Sequence, residues 1–540
     1  MDSTQFRAAA HTAVDEITNY FDRIEHRRVV SDVQPGYLRK LLPEQVPEDG
    51  ESWDDIQKDV ESKIMPGLTH WQSPNFMAFF PATTTYPSML GELYSAAFSA
   101  PAFNWICSPA VTELETIVLD WLAKLLHLPS CFHSLGDGGG VIQGSASEAI
   151  VTTMVAARER YLMEATKHLE GRQRESMIGD IRSRLVVLGS EMSHSSTHKA
   201  ALITGTRYKS IKTDVVDGFS LTGESLRHAI EECQSEGLKP FYLTVTLGTT
   251  ATCAVDDFRG IADVVRHHPM LWTHVDAAYA GAALICEEYQ HLTEHFESFD
   301  SFDMNMHKWL LTNFDARHVT MPAVEVWHLI DALSVTPSYL RNEYSDSGLV
   351  IDYKDWQIPL GRRFRALKIW FVLRTYGAQG LKSYVREHIR LGKLFASWID
   401  SSRDIFKILT EPAFALTAFH VDSSLGPDDG AFGDSGLASN GDHAAETQSR
   451  SLTDVNELTK EVYETVNRRG EIFLTSSVVN GIYIIRVVSA NARTEEKYLR
   501  KAFNILVDTT VEVLDKARSK RRQSSGGVEK RSSTHASPRI

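Results

Sequence analysis

Between residues 136 and 315, short apolar β-branched runs alternate with helix-patterned segments, and this alternation constrains the fold more than any other feature of the chain. LVVLG (185–189), FYLTVTLG (241–248) and LWTHVD (271–276) read as strands, and 147–166, 223–236 and 258–267 as helices. Strands that are apolar on both faces belong in a sheet covered on both sides. Their alternation with helices gives βαβ units and a mostly parallel sheet, an α/β fold. Ligands of such sheets gather outside the carboxyl ends of the strands, so the residues just after each strand are the first candidates for chemistry.

The flanking regions are helical first and mixed later. Residues 1–85 carry an amphipathic helix (4–26) and a second near 51–64. In VTELETIVLDWLAKLLHL (111–128), Thr112 and Glu115 have capping-box spacing, and Leu114, Ile117, Val118, Trp121, Leu122 and Leu125 share one helix face. A long helical pattern covers 361–400, a strand covers 413–421, and two strands flank Asn480-Gly481 within 472–489. A capped helix from near Thr494 closes a small α+β domain. The divisions expected are 1–85, a large domain 86–370, a small domain 371–516 and a basic tail 517–540. Residues 423–451 hold five Gly, six Ser and only three large apolar residues, so this insertion and the tail are expected to be disordered.

From Lys63 to Glu113 the only other Asp, Glu, Lys or Arg is Glu92, and aromatics are frequent. Prolines at 66, 74, 81, 87, 101 and 109 rule out a membrane span, so the stretch is expected in a core, a pocket wall or a subunit interface. With 56 Lys+Arg against 70 Asp+Glu the net charge is −14, which argues against nucleic acid as partner. Five scattered cysteines without a CxxC pair, and a polar N-terminus unlike a signal peptide, point to a reducing, cytoplasmic setting.

Three motifs carry chemistry. GDGGGVIQGSASEA (136–149) lacks the third glycine of a dinucleotide fingerprint and the GK[ST] of a P-loop. It leaves a Gly-rich turn opening a helix at Gly144-Ser145-Ala146-Ser147, either an anion cradle or a plain capped start. Asp276 ends an apolar strand, where a carboxylate is costly unless it meets a cation or serves as a cap. Lys308 sits in the apolar run of SFDMNMHKWLLTNFD (301–315), as an amine desolvated for Schiff-base chemistry or a lysine snorkelling from a core edge. HLTEH (291–295) has a zinc-peptidase spacing but lies in a highly charged link and reads as a surface turn; no metal site is expected. An anion cradle, a carboxylate and a buried lysine together suit pyridoxal 5'-phosphate.

GGGVIQGSASEA, GSEMSHSSTHKAALITG, LGTTATC, HVDAAYAG, NMHKWLLTNFD and DYKDWQIPLGRRFRALKIW resemble the group II pyridoxal-phosphate decarboxylases, and within them the aromatic-L-amino-acid decarboxylases. The resemblance implies a fold type I, transferase-like architecture with an N-terminal helical dimerisation arm, and a homodimer with its active sites at the interface. By the same resemblance Lys308 holds the cofactor and Asp276 pairs with its pyridine nitrogen. Ala278 lies under the ring, and His194 stacks on it and handles protons. Ser145, Ala146, Ser147, Asn305 and His307 match the phosphate side, and Thr250 a cofactor-side threonine. Tyr339, in TPSYLRNEYSDSG (336–348), matches the mobile-loop acid that protonates Cα. Trp71, Phe79, Phe80, Pro81 and Thr83 match the aromatic side-chain pocket, and Pro101 and Phe103 a segment given across the dimer.

The implied reaction converts tryptophan, tyrosine, phenylalanine or dihydroxyphenylalanine to an arylalkylamine and CO2. The alternative is an aromatic acetaldehyde synthase on the same scaffold, and such enzymes carry phenylalanine at the Tyr339 place. Phe79 and Pro101 depart from the animal enzymes, which have a tyrosine and a branched aliphatic there. Gly361, where relatives acting on histidine or tyrosine tend to carry serine, leans toward tryptophan and so toward tryptamine biosynthesis.

Overall fold

A computed structural model of the chain describes residues 1–136, 138–335, 337–422 and 441–526. It divides into two compact units, Phe80–Arg390 with Ala413–Ala415, and Met1–Phe79 with Leu391–Pro412 and Leu416–Ile540.

The first unit is built on a seven-stranded sheet. Its strands are β1 (Gly139–Gln143), β2 (Leu185–Ser190), β3 (Arg207–Ile211), β4 (Lys239–Thr246), β5 (Trp272–Asp276), β6 (Ser301–Asn305) and β7 (Arg317–Met321), in the order β1-β7-β6-β5-β4-β2-β3. β7 runs antiparallel to both neighbours, and the remaining pairs are parallel. All five residues of β1, β5, β6 and β7 are buried, as a two-sided sheet requires. The helix Ala146–Thr166 buries Ala149, Ile150, Met154 and Ala157 in the core that also holds Val187, Tyr242 and Trp272. Because β7 is reversed, its first residue, Arg317, comes to the same sheet edge as the last residues of β5 and β6.

The second unit contains a four-stranded antiparallel sheet of β8 (Phe406–Ile408), β9 (Leu416–Val421), β10 (Thr475–Val479) and β11 (Ile482–Val488), ordered β10-β11-β9-β8. Asn480 and Gly481 both take positive φ in the tight β10–β11 turn anticipated from their sequence. Phe419, Val462, Val466, Ile485, Leu499 and Leu506 fill its core. The N-terminal segment belongs to this unit: Met77 N–H donates to Phe473 O (2.9 Å), Phe473 N–H to Asn75 O (3.1 Å) and Val488 N–H to Met77 O (3.0 Å).

Several expectations are corrected. Residues 1–79 do not stand as a separate arm, because these backbone bonds join them to the small sheet, and the later division falls at 390/391 inside the helix Arg365–Ser401 rather than at 370. Thr112 and Glu115 form no capping box. The helix starts earlier, at Pro109, and Glu115 is buried against Arg362 while accepting the Ile142 N–H at 2.8 Å. A helix covers Gly441–Arg469 and another runs Glu496–Gly526, so helix reaches into both segments expected to be disordered; 423–440 and 527–540 lie outside the described residues. The uncharged stretch is only partly buried, since its helix Tyr86–Phe98 leaves Leu90, Leu93, Tyr94 and Phe98 at least half exposed. Among the described residues no helix is long and apolar enough to cross a membrane, and all five cysteines are free thiols.

Candidate active site

The carboxyl edge of the large sheet collects the chemistry-bearing side chains. Lys308 lies on the single helical turn Met306–Trp309 that follows β6. Its loop is held from the segment preceding the helix Tyr86–Phe98. Thr83 donates N–H (2.7 Å) and hydroxyl (3.1 Å) to His307 O, and Thr85 donates its hydroxyl to Leu311 O (2.7 Å). Phe80 places its ring 5.6 Å from Lys308 Nζ and stacks on Tyr279 at 3.7 Å. Tyr279 in turn stacks on Trp309 at 4.8 Å, and Trp309 donates its indole N–H to His388 (3.0 Å). Against this apolar wall, burial pulls the Lys308 amine down to about 8, although Asp276 opposes the shift.

Asp276 ends β5 and is 4% exposed. Its Oδ1 accepts the Ala278 N–H at 3.0 Å and stands 3.9 Å from Arg317. His194, after β2, caps the helix Ser195–Thr204: its Nδ1 accepts the Ser196 N–H at 3.2 Å. With Nδ1 an acceptor, the neutral ring carries its proton on Nε2. Surrounding protein lowers the His194 pKa, with Asp276 pulling the other way, so the ring is neutral at pH 7.

At the end of β1, Ser145 caps the helix Ala146–Thr166 by accepting the Glu148 N–H (3.1 Å), and Gly144 donates its N–H to the Glu148 carboxylate (3.0 Å). A Cβ on Gly144 would lie 2.8 Å from that carboxylate, so the Glu148 side chain would have to shift to admit one. Gly144 to Ser147 are half-buried, and the first-turn N–H groups of a helix have no intrahelical acceptor, so the turn is open to an anion. Thr250 is exposed just after β4, while the neighbouring Thr249 is buried and bonded to Thr252 (3.0 Å).

Two phosphate-side expectations take a different form. Asn305 accepts from Arg317 Nη1 (3.0 Å), and His307 accepts the Ala316 N–H on Nδ1 (3.1 Å), with burial driving its pKa to about 3. Both side chains are thus engaged within the protein, as is the Thr83 hydroxyl assigned to the substrate pocket. Pro81 is buried. Pro101 O accepts the Arg362 N–H (3.3 Å), which brings Pro101 beside Gly361, and Phe103 O accepts the Lys354 N–H (2.9 Å). In the second unit Trp71 stacks on Phe79 at 5.5 Å, and Phe79 is 46% exposed. Tyr339 is 79% exposed on the turn Ser338–Leu340 and is not packed among the others.

Sequence reasoning missed Arg317, Tyr279, Trp309 and His388. Arg317 had a signal, a lone arginine opening the apolar run RHVTM, but β7 itself was not anticipated.

The pyridoxal-dependent decarboxylase conserved domain matches residues 35–422. The chain belongs to the pyridoxal-dependent decarboxylase family. Tyrosine decarboxylase 1 of Narcissus pseudonarcissus is 40% identical over 530 residues, which are 97% of this chain and 95% of that protein. Phenylacetaldehyde synthase of Arabidopsis thaliana is also 40% identical, over 96% of this chain and 98% of that one. The crystal structure of Oryza sativa TDC with PLP and tryptamine shares 35% identity and a TM-score of 0.85, covering 95% of this chain and 99% of that one. Within the family the chain falls in the aromatic amino acid group, as a pyridoxal-phosphate-dependent carboxy-lyase. The donor set fits the cofactor: a desolvated amine, a buried strand-end carboxylate and an open helix N-terminus lie along one sheet edge.

Proposed function

We propose that this decarboxylase acts on an aromatic L-amino acid and releases the arylalkylamine and CO2, with tryptophan ahead of tyrosine, phenylalanine and dihydroxyphenylalanine. The observation that carries the reading is the Lys308 amine, held at about 8 beside the Phe80–Tyr279–Trp309 stack and facing the Asp276 charge. Bound pyridoxal phosphate supplies a protonated ring that accepts the electron pair left when the carboxylate departs. Lys308 offers a neutral amine to bind the cofactor aldehyde, and Asp276 holds the proton on the pyridine nitrogen. Ala278 leaves room for the ring. Ser145, Ala146 and Ser147 offer hydroxyl and first-turn N–H groups to the phosphate, with Thr250 beside them. Asn305 and His307 act through the backbone they fix.

His194 keeps a proton on Nε2 at the ring face, and Tyr339 delivers a proton to Cα from its exposed turn. Phe80 and Pro81 supply apolar surface for the substrate side chain, and Pro101 and Phe103 add to it from across the proposed dimer. Gly361 is exposed and a Cβ there would meet nothing within 4 Å, so the missing serine hydroxyl rather than bulk is what leans the reading toward tryptophan. A homodimer is supported by the exposed apolar face of the helix Tyr86–Phe98, and a cytoplasmic location by the free thiols.

The aldehyde synthase reading has one specific point in its favour, the phenylacetaldehyde synthase relative, and Tyr339 is the residue that speaks against it. Measuring amine, CO2, ammonia and peroxide from purified enzyme with four aromatic amino acids at equal concentration tests both points. Amine equal to CO2, with tryptophan consumed first, is expected. Stoichiometric ammonia and peroxide would replace the reading with the aldehyde synthase.

A further inference from the structure

Beside Asp276 lies a fully buried ion pair. Asp276 and Asp303 are register partners on β5 and β6, and Arg317, opening β7, reaches both. Arg317 and Asp303 are each 0% exposed and directly paired. Arg317 Nη2 also stands 3.9 Å from Asp276 Oδ1, and Nη1 donates to Asn305 (3.0 Å). On the far side His274 Nε2 meets Asp303 at 2.7 Å. His274 Nδ1 lies 2.8 Å from Ser301 Oγ, which accepts the Trp272 indole N–H (2.8 Å). Both imidazole nitrogens of His274 are thus engaged, one by Ser301 and one by Asp303. Burial acts to raise the Asp303 pKa, but Arg317 and His274 together outweigh it and keep the group an anion.

Two carboxylates, Asp276 and Asp303, thus stand around the single Arg317 guanidinium, which is paired directly with Asp303 and lies 3.9 Å from Asp276. Without Asp303, Arg317 and Asp276 would close on each other as a neutral pair. We propose that Asp303 is a positioning counter-ion: by neutralising Arg317 it reserves the Asp276 carboxylate for the pyridine nitrogen of the cofactor. The inference rests on the assignment of Asp276 to that nitrogen.

Two readouts on full-length enzyme reconstituted with 15N-labelled pyridoxal phosphate test it: the 15N shift, which reports pyridine protonation, and the cofactor dissociation constant. Asp303→Asn is expected to move the signal toward the unprotonated form and loosen the cofactor about tenfold, as a one-unit change in proton affinity would. Arg317→Gln leaves the signal protonated, and the double variant returns both readouts to within about threefold of the parent, since a tenfold loss is the size of the effect to be reversed. A purely structural ion pair would instead make both single variants suffer alike. Equal losses in the two singles, or a double variant no better than Asp303→Asn, would overturn the proposal. If Asp303→Asn does not fold, a double variant whose cofactor is unprotonated overturns it and one that keeps the proton supports it. Asp276→Asn is the control. If it leaves the 15N signal unchanged, the assignment of Asp276 falls, and the counter-ion role falls with it.

Discussion

The Lys308 amine offers a measurement that separates a reactive lysine from one merely snorkelling at a core edge. An ordinary lysine near 10.5 is neutral in only about one molecule in a thousand at pH 7.5, whereas one at about 8 is neutral in roughly a quarter. The site thus raises the reactive fraction by about 200-fold, mainly through burial. Competitive acetylation of the apoenzyme across pH 6–11, with peptide mass spectrometry, reads this directly. Lys308 should show its midpoint near pH 8, while exposed lysines in the same digest titrate near 10.4. Asp276→Asn should move the midpoint lower still, because the Asp276 charge is what holds the amine up. The stability linkage has a fixed sign. The unfolded chain holds the extra proton between about 8 and 10.5, so the apoenzyme penalty from Lys308 is complete below pH 8 and fades as pH rises toward 10.5. A Lys308 midpoint near 10, coincident with the exposed lysines, would refute the desolvation argument.

Tyr339→Phe should divert product from amine toward aldehyde, with ammonia and peroxide appearing; an unchanged amine yield would remove Tyr339 from the mechanism. Lys308→Ala should abolish turnover, and steady-state CO2 release by that variant would count against the lysine assignment. Glu115→Gln breaks an ion pair in which both side chains are 1% exposed, and the uncompensated Arg362 should cost about 3–5 kcal/mol in urea unfolding. Leu93→Glu, on the exposed face of the helix Tyr86–Phe98, should shift sedimentation from dimer to monomer; a variant that still sediments as a dimer would place the interface elsewhere.

The strands legible in the sequence were those with long apolar runs, β2, β4, β5 and β9, together with the hairpin marked by Asn480-Gly481. β1, whose GGVIQ reads as part of a glycine-rich turn, and β3, β6, β7 and β8 were not anticipated. RYKSI is an edge strand, mostly open to water, and lacks an apolar signature. SFDMN and RHVTM carry Asp303 and Arg317, charges that interrupt an apolar strand signature and that are buried against each other. Lys308 and Asp276 were legible because a charge in an apolar run demands a partner. The roles of Asn305, His307 and Thr83 came from the family resemblance, and which way each side chain turns depends on β7 and on the 83–85 segment, which is brought in from far along the sequence. The capping box failed because Glu115 has a better partner, Arg362, 247 residues away.

The hydroxyls of Thr83 and Thr85 donate to main-chain oxygens of the lysine loop, at His307, Leu311 and Thr312. An anchor that grips carbonyls is indifferent to the side chains those carbonyls belong to. Leu311 and Thr312 are themselves buried, so the loop is held by the two threonines at its carbonyls and by its own packing from within. A change at Thr83 or Thr85 should therefore loosen the lysine loop without altering any of that loop's own side chains.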